Sequence, residues 1–87
     1  MKVTLKDGFS VNVDEKCQND WFFLAKLRKI EAGEASLIVD VAETLLGSEE
    51  EVNRLAEHLA VDGRTPLDGM IDTLTEVMEA VNALKNS

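Results

Sequence analysis

One stretch constrains the fold of this chain more than any other: ASLIVDVAETLL, residues 35–46, followed by Gly47. At about 100° per residue in a helix, its polar side chains fall into one narrow sector, and its apolar side chains cover the rest of the circumference. Such a helix has to be surrounded by other elements, and about 12 residues are too few to cross a bilayer. We therefore predict that residues 35–46 form the central helix of a small protein domain.

Residues 2–13 have the alternating pattern of a β-hairpin with one apolar face. The apolar members are Val3, Leu5, Phe9, Val11 and Val13. A two-residue loop at Asp7-Gly8 would mix polar and apolar side chains on each face. A three-residue loop ending in a left-handed Gly8 pairs Leu5 with Phe9 instead, and we predict this loop. Because two strands alone are marginally stable in water, the apolar face is expected to lie on the helices or to extend a neighbour's sheet.

After the hairpin the pattern predicts four helices, at about 20–32, 35–46, 49–60 and 66–84. Local signals mark their ends: Asn19 or Asp20 as a cap, Gly33 and Gly47 as stops, a capping box of Ser48 and Glu51, and a Thr65 cap with Pro66 at the first helical position. The predicted fold is α+β, mainly α, in a single domain of residues 1–87.

The first predicted helix begins with three consecutive aromatic residues, which cannot share one face because successive residues diverge by about 100°. Its main apolar face is predicted to carry Phe23, Leu24, Leu27 and Ile30. Phe22 then points to the side expected to be wet, and Trp21 lies at the edge. Either the hairpin or the turn at residues 14–19 covers these two rings, or they form an exposed apolar patch for a partner.

The last predicted helix has an apolar stripe of Leu67, Met70, Ile71, Leu74, Val77, Met78, Val81 and Leu84. Its opposite face carries Asp68, Asp72, Glu76 and Glu79, with no basic residue among them. Like charges four residues apart weaken an isolated helix by a few tenths of a kcal/mol per pair. This acidic face is therefore either a solvated surface or one that would gain from a basic partner.

The formal net charge of −8 argues against binding a nucleic acid backbone or an anionic membrane. It is compatible with a basic protein partner, and also with acidity that serves solubility. Cys17 is the only cysteine, so the chain cannot form a disulfide within itself, and a reducing compartment is expected. The beginning of the sequence, MKVTLKDGF, has no apolar run typical of a secretion signal. These features predict a cytoplasmic protein.

No catalytic or metal-binding constellation is apparent in the sequence. The single histidine, His58, and Cys17 lie on different predicted elements, with no visible orienting group. Neither glycine motif for phosphates occurs, and the glutamates at 49–51 are explained as charges at a helix start. Those same carboxylates would repel DNA if residues 35–59 formed a helix-turn-helix unit. We expect no enzymatic activity, no cofactor and no metal.

The order of the elements resembles the small tail assembly chaperones of long-tailed phages and prophages of Gram-positive bacteria. The resemblance covers roughly residues 2–84 and is carried by the Asp20-Trp21 helix start, the LLG that ends the central helix, and the joint from His58 to Pro66. It implies a protein that binds the tape measure protein, keeps it soluble, helps recruit tail tube subunits and is not retained in the virion. It also implies a homo-oligomer acting in the cytoplasm of the bacterial host.

Candidate partner-binding residues follow from the demands of holding an aggregation-prone helix. Adaptable apolar side chains are offered by Trp21, Phe22, Met70 and Met78. Electrostatic guidance of a basic segment is offered by Asp68, Asp72, Glu76 and Glu79. Two other functions remain open: an acidic regulator or inhibitor of a basic, nucleic-acid-binding protein, and an oligomeric structural protein without a client.

Overall fold

The computed structural model describes residues 1–85, apart from the side chains at positions 18, 84 and 85. An antiparallel hairpin of β1 (Lys2–Thr4) and β2 (Ser10–Asn12) is followed by the helices α1 (Trp21–Glu31), α2 (Ile38–Leu46), α3 (Glu49–Leu59) and α4 (Leu67–Lys85). One-turn 3₁₀ helices precede α1 at Cys17–Asn19 and α2 at Ala35–Leu37. The predicted α+β, mainly helical architecture is confirmed. The turn predicted at residues 14–19 contains the first 3₁₀ helix.

The hairpin has the predicted register. Val3 lies opposite Val11, and the Leu5 N–H donates to the Phe9 carbonyl oxygen at 2.7 Å. Gly8 closes the three-residue loop with a φ of +93°. The apolar face of the hairpin is buried on the helices, since β1 packs against α4 and β2 against α3.

The α2 helix is central, as predicted, but it is not covered all round. It packs between α1 and α3 and buries Val41 and Leu45 completely. It ends at Gly47, which has a φ of +83° and an N–H that donates to the Glu43 carbonyl oxygen. Val39 was predicted to lie among covering elements, and this is wrong: it is 56% exposed.

The caps show which sequence signals act as expected. The Asp20 carboxylate accepts from the Phe22 N–H at 2.9 Å, so Asp20 rather than Asn19 caps α1. The Ser48 hydroxyl accepts from the Glu51 N–H at 3.2 Å, as in a capping box. The other half of the box is wrong, because the Glu51 carboxylate accepts from the Asn12 N–H in β2 instead.

The start of α4 also differs from the prediction. The helix begins at Leu67, with Pro66 just before it supplying the carbonyl oxygen for the Met70 N–H. The Thr65 hydroxyl was expected to cap this helix, but it donates to the Ala56 carbonyl oxygen at 2.7 Å. Carbonyl groups in the last turn of a helix lack partners within it, so Thr65 ties the end of α3 to the start of α4.

The helices contribute narrower apolar faces than predicted. On α1 the inward residues are Phe23, Leu27 and Ile30, whereas Leu24 is half exposed because it lies about 100° round the helix from Phe23. On α4, Leu74, Val77 and Val81 are buried, but Leu67 in the first turn is 52% exposed. The predicted inward position of Leu84 concerns a side chain outside the described part of the structure.

Candidate protein-binding surface

The outward face of α1 is the largest exposure of aromatic surface in the described residues. Trp21 is 77% exposed and Phe22 is 74% exposed. The 3₁₀ helices and α2 pack against α1 elsewhere, so the alternative in which the hairpin or the preceding turn covers both rings is wrong. Trp21 and Phe22 form an exposed apolar patch.

The patch continues along α1 at helical spacing. Trp21, Leu24, Ala25 and Arg28 line one open groove of about 350 Å³. Their i, i+3, i+4 and i+7 spacing places them on one face of the helix. The sequence prediction missed Leu24 and Arg28 as members of this surface. The sequence did contain a signal for this surface, because the apolar residues of α1 lie on two faces of the helix rather than one.

The backbone of the first turn of α1 is held at two points. The Asp20 cap fixes its first turn, and Phe23, the next residue after Phe22, is only 2% exposed in the core. An exposed side chain on an anchored helix costs less conformational entropy to bind than one on a flexible loop. The backbone that carries Trp21 and Phe22 is therefore fixed by the fold.

The α4 helix holds the other candidate residues, and they divide into two groups. Asp68, Asp72 and Glu79 are exposed. Glu76 is half-buried, and its carboxylate accepts from the Lys6 N–H at 2.9 Å. Glu76 therefore ties the hairpin loop to α4, and the continuous acidic face is interrupted at this position.

The two methionines proposed as adaptable contacts lie at the edge of the core. Met70 and Met78 are each partly buried and packed against it. Met70 also lines an apolar groove of about 300 Å³ between α2, α3 and α4, together with the exposed side chains of Val39 and Leu67. This groove is a second apolar surface that sequence reasoning missed, because it depends on how α2 and α4 are placed in space.

Aromatic and cationic side chains also meet where the hairpin loop reaches α3. The Phe9 and His58 rings stack with centroids 3.9 Å apart and planes 8° apart, and the Arg54 guanidinium lies 4.6 Å from the Phe9 centroid. His58 Nε2 is 2.7 Å from Asp7 Oδ2. This hydrogen bond, helped by the Phe9 N–H, holds the pKa of Asp7 below its usual value. The cluster fastens the hairpin loop to α3.

The surface features do not coincide on one element. Trp21 and Phe22 are on α1, which packs against α2, whereas the acidic residues are on α4, which packs against α3 and β1. The apolar patch and the acidic face are therefore separate surfaces on different helices.

Comparison with known proteins identifies no relative of this chain. No family model, curated protein or solved structure matches the chain. Within residues 1–85, no helix has the length and apolar character needed to cross a membrane. No group of three or more histidine, cysteine or acidic side chains in that part of the chain is placed to hold a metal ion.

Proposed function

We propose that this protein is a tail assembly chaperone of a long-tailed phage or prophage. In this role it binds the tape measure protein, keeps it soluble and helps recruit tail tube subunits. It acts in the cytoplasm of the bacterial host, as a homo-oligomer, and leaves before the virion is complete. The sequence resemblance described above suggests this function.

The observation that carries the proposal is the exposure of Trp21 and Phe22 on an anchored helix. A chaperone for a long helical client needs apolar surface that remains open until the client arrives. At 150 to 250 Å² per aromatic side chain, the exposed fractions of these two residues leave about 300 Å² of apolar surface uncovered. Apolar patches of this size on a small protein are often interaction sites.

The proposal is tested by co-expressing this protein with the tape measure protein of the same phage. The soluble fraction is analysed by size exclusion with light scattering, which also gives the stoichiometry. We expect the client to be soluble only in the presence of this protein, and the two to co-elute.

Matched variants connect the result to the surface. The double variant Trp21→Ser, Phe22→Ser removes the patch and is expected to abolish solubilisation. The control Val61→Ser changes an apolar residue that lies outside α1 and is 61% exposed. This variant is expected to solubilise the client normally. An insoluble client in the presence of the wild-type protein would contradict the chaperone proposal, and favour a structural oligomer without a client if the protein still self-associates.

The second candidate function is an acidic regulator of a basic, nucleic-acid-binding protein. The observation in its favour is the exposure of Asp68, Asp72 and Glu79 on α4 in a chain of net charge −8. Carboxylates presented along a helix can occupy a site that otherwise binds phosphates, and such binding weakens as salt screens the charges. This candidate predicts strongly salt-dependent binding to a basic protein that survives loss of Trp21 and Phe22 but is lost in Asp68→Asn, Asp72→Asn.

A further inference from the structure

The outward face of α1 changes character along its length. Its first turn presents Trp21 and Phe22. Seven residues further on, the same two rows of the helix present Arg28 and Lys29, both exposed. At 1.5 Å per residue the two ends are about 10 Å apart. The face is therefore aromatic at its amino end and cationic at its carboxyl end.

This cationic end is unusual in so acidic a protein. Three of the nine basic residues of the chain lie on α1, namely Lys26, Arg28 and Lys29, against a single acidic residue, Glu31. Within residues 1–85, neither Arg28 nor Lys29 is part of an ion pair. Cationic side chains in the last turn stabilise a helix through its dipole. This effect does not explain why Arg28 lines the same groove as Trp21 and Leu24.

We propose that the outward face of α1 binds an amphipathic helix with acidic residues, whose apolar stripe covers Trp21 and Leu24 and whose carboxylates meet Arg28 and Lys29. This proposal names the chemistry of the client segment and so rests on the proposed function. It differs from the expectation of a basic client, because the exposed aromatic rings lie on the basic helix and not beside the carboxylates of α4.

The spacing of the face specifies a helix as the occupant. Its anchors at i, i+3, i+4 and i+7 form a ridge of the kind that packs into the grooves of a second helix. The charge specifies acidity, since a basic segment would place like charges against Arg28 and Lys29 at a cost in affinity. Arg28 in particular can bind a carboxylate through two parallel hydrogen bonds.

Trp21 is the only tryptophan in the chain and lies within the surface, so its fluorescence reports binding without a label. The probes are two designed helical peptides of about 14 residues, long enough to form helix in part on their own. Both carry leucines at i, i+3, i+4 and i+7. One has glutamates in its first turn, and the other has lysines at the same positions.

We expect the glutamate peptide to shift the Trp21 emission to shorter wavelength and to bind at least about tenfold more tightly than the lysine peptide at low salt. Arg28→Gln should weaken the glutamate peptide severalfold, and Arg28→Glu should reverse the preference between the peptides. Arg64→Glu, an equal charge change at an exposed arginine outside α1, should leave both affinities unchanged. Far-UV circular dichroism of each variant verifies that it is folded.

In the fluorescence experiments, three results would overturn the inference. They are equal binding of both peptides, unchanged preference in Arg28→Glu, and a blue shift of Trp21 on concentrating the protein alone, which would show that a second copy covers the face. The co-expression experiment separates this inference from the chaperone function. A tape measure protein kept soluble by wild type and Arg28→Glu alike would overturn the α1 site and leave the function standing. Arg28-dependent peptide binding without solubilisation would support the site and contradict the function.

Discussion

Phe22 and Phe23 are consecutive residues of the same type in the first turn of α1, yet they are 74% and 2% exposed. A phenylalanine side chain has about 200 Å² of surface. At about 25 cal/mol per Å², burial of Phe23 contributes about 5 kcal/mol and burial of Phe22 about 1 kcal/mol. Alanine is the better helix former by about 0.5 kcal/mol, which offsets part of the smaller loss. We expect Phe23→Ala to cost about 3 to 5 kcal/mol and Phe22→Ala less than about 1 kcal/mol.

The assay is urea unfolding followed by circular dichroism at the helical band, with free energies of unfolding extrapolated to water. A chain of 87 residues has a total stability of about 4 to 13 kcal/mol, so the loss in Phe23→Ala should be a large part of the total. The two variants differ by one position, which controls for helix propensity and for the cap. Comparable losses in both variants would refute the reasoning, because they would place Phe22 in the core and remove the exposed patch.

Three further predictions concern other parts of the fold. Gly69→Ala should raise the melting temperature by about 3 to 6 °C, because alanine favours the helix by up to about 1 kcal/mol and its Cβ would meet only ordinary contact at 3.7 Å; a lower melting temperature would contradict the packing of α4. Glu51→Ala should lower the free energy of unfolding in urea by about 1 to 2 kcal/mol, because the Glu51 carboxylate accepts a hydrogen bond from the hairpin. The control Glu50→Ala, with the same loss of charge in the same turn at an exposed position, should cost less than about 0.5 kcal/mol. In an NMR titration Asp7 should have a pKa below 3.8, and this pKa should rise in His58→Gln. Since the folded-state pKa is lowered, the contribution of ionised Asp7 to stability is present above pH 3.8 and is lost as the pH falls through the folded-state pKa. An unchanged Asp7 pKa in the variant would contradict the hydrogen bond.

The parts of the fold predicted correctly depend on interactions between residues near each other in sequence. The hairpin register was predicted from the loop length, because only a three-residue loop places Leu5 opposite Phe9. The structure has that pair. The ends of α1 and α2 followed from Asp20 and Gly47, which act within one turn of the chain. Such signals fix local geometry whatever the rest of the molecule does.

The errors concern interactions across the fold. Glu51 was predicted to complete a capping box and Glu76 to lie on an acidic face. Each carboxylate instead accepts from a backbone N–H of the hairpin, 39 and 70 residues away in sequence. Apolar periodicity predicts which face of a helix a residue lies on, but it does not predict how far a neighbouring element extends over that face. Val39 and Leu67 are therefore exposed although both belong to apolar stripes.

The candidate surface was predicted in part. The sequence showed that Trp21, Phe22 and Phe23 could not all be buried on one face of a helix. Whether the hairpin covered the outer two rings depended on the hairpin's position, which no local signal contains. The structure places the hairpin on α3 and α4, and so leaves the α1 rings open.

The carboxylate bonds from α3 and α4 to the hairpin have a further consequence for self-association. A two-stranded sheet has two open edges, and unpaired N–H groups along them are templates for an added strand from another molecule. Glu51 occupies the outward N–H of Asn12 in β2, and Glu76 occupies the N–H of Lys6 just beyond β1. An incoming strand would have to displace a charged acceptor at either position. Each carboxylate thus opposes the addition of a strand at the position that it occupies.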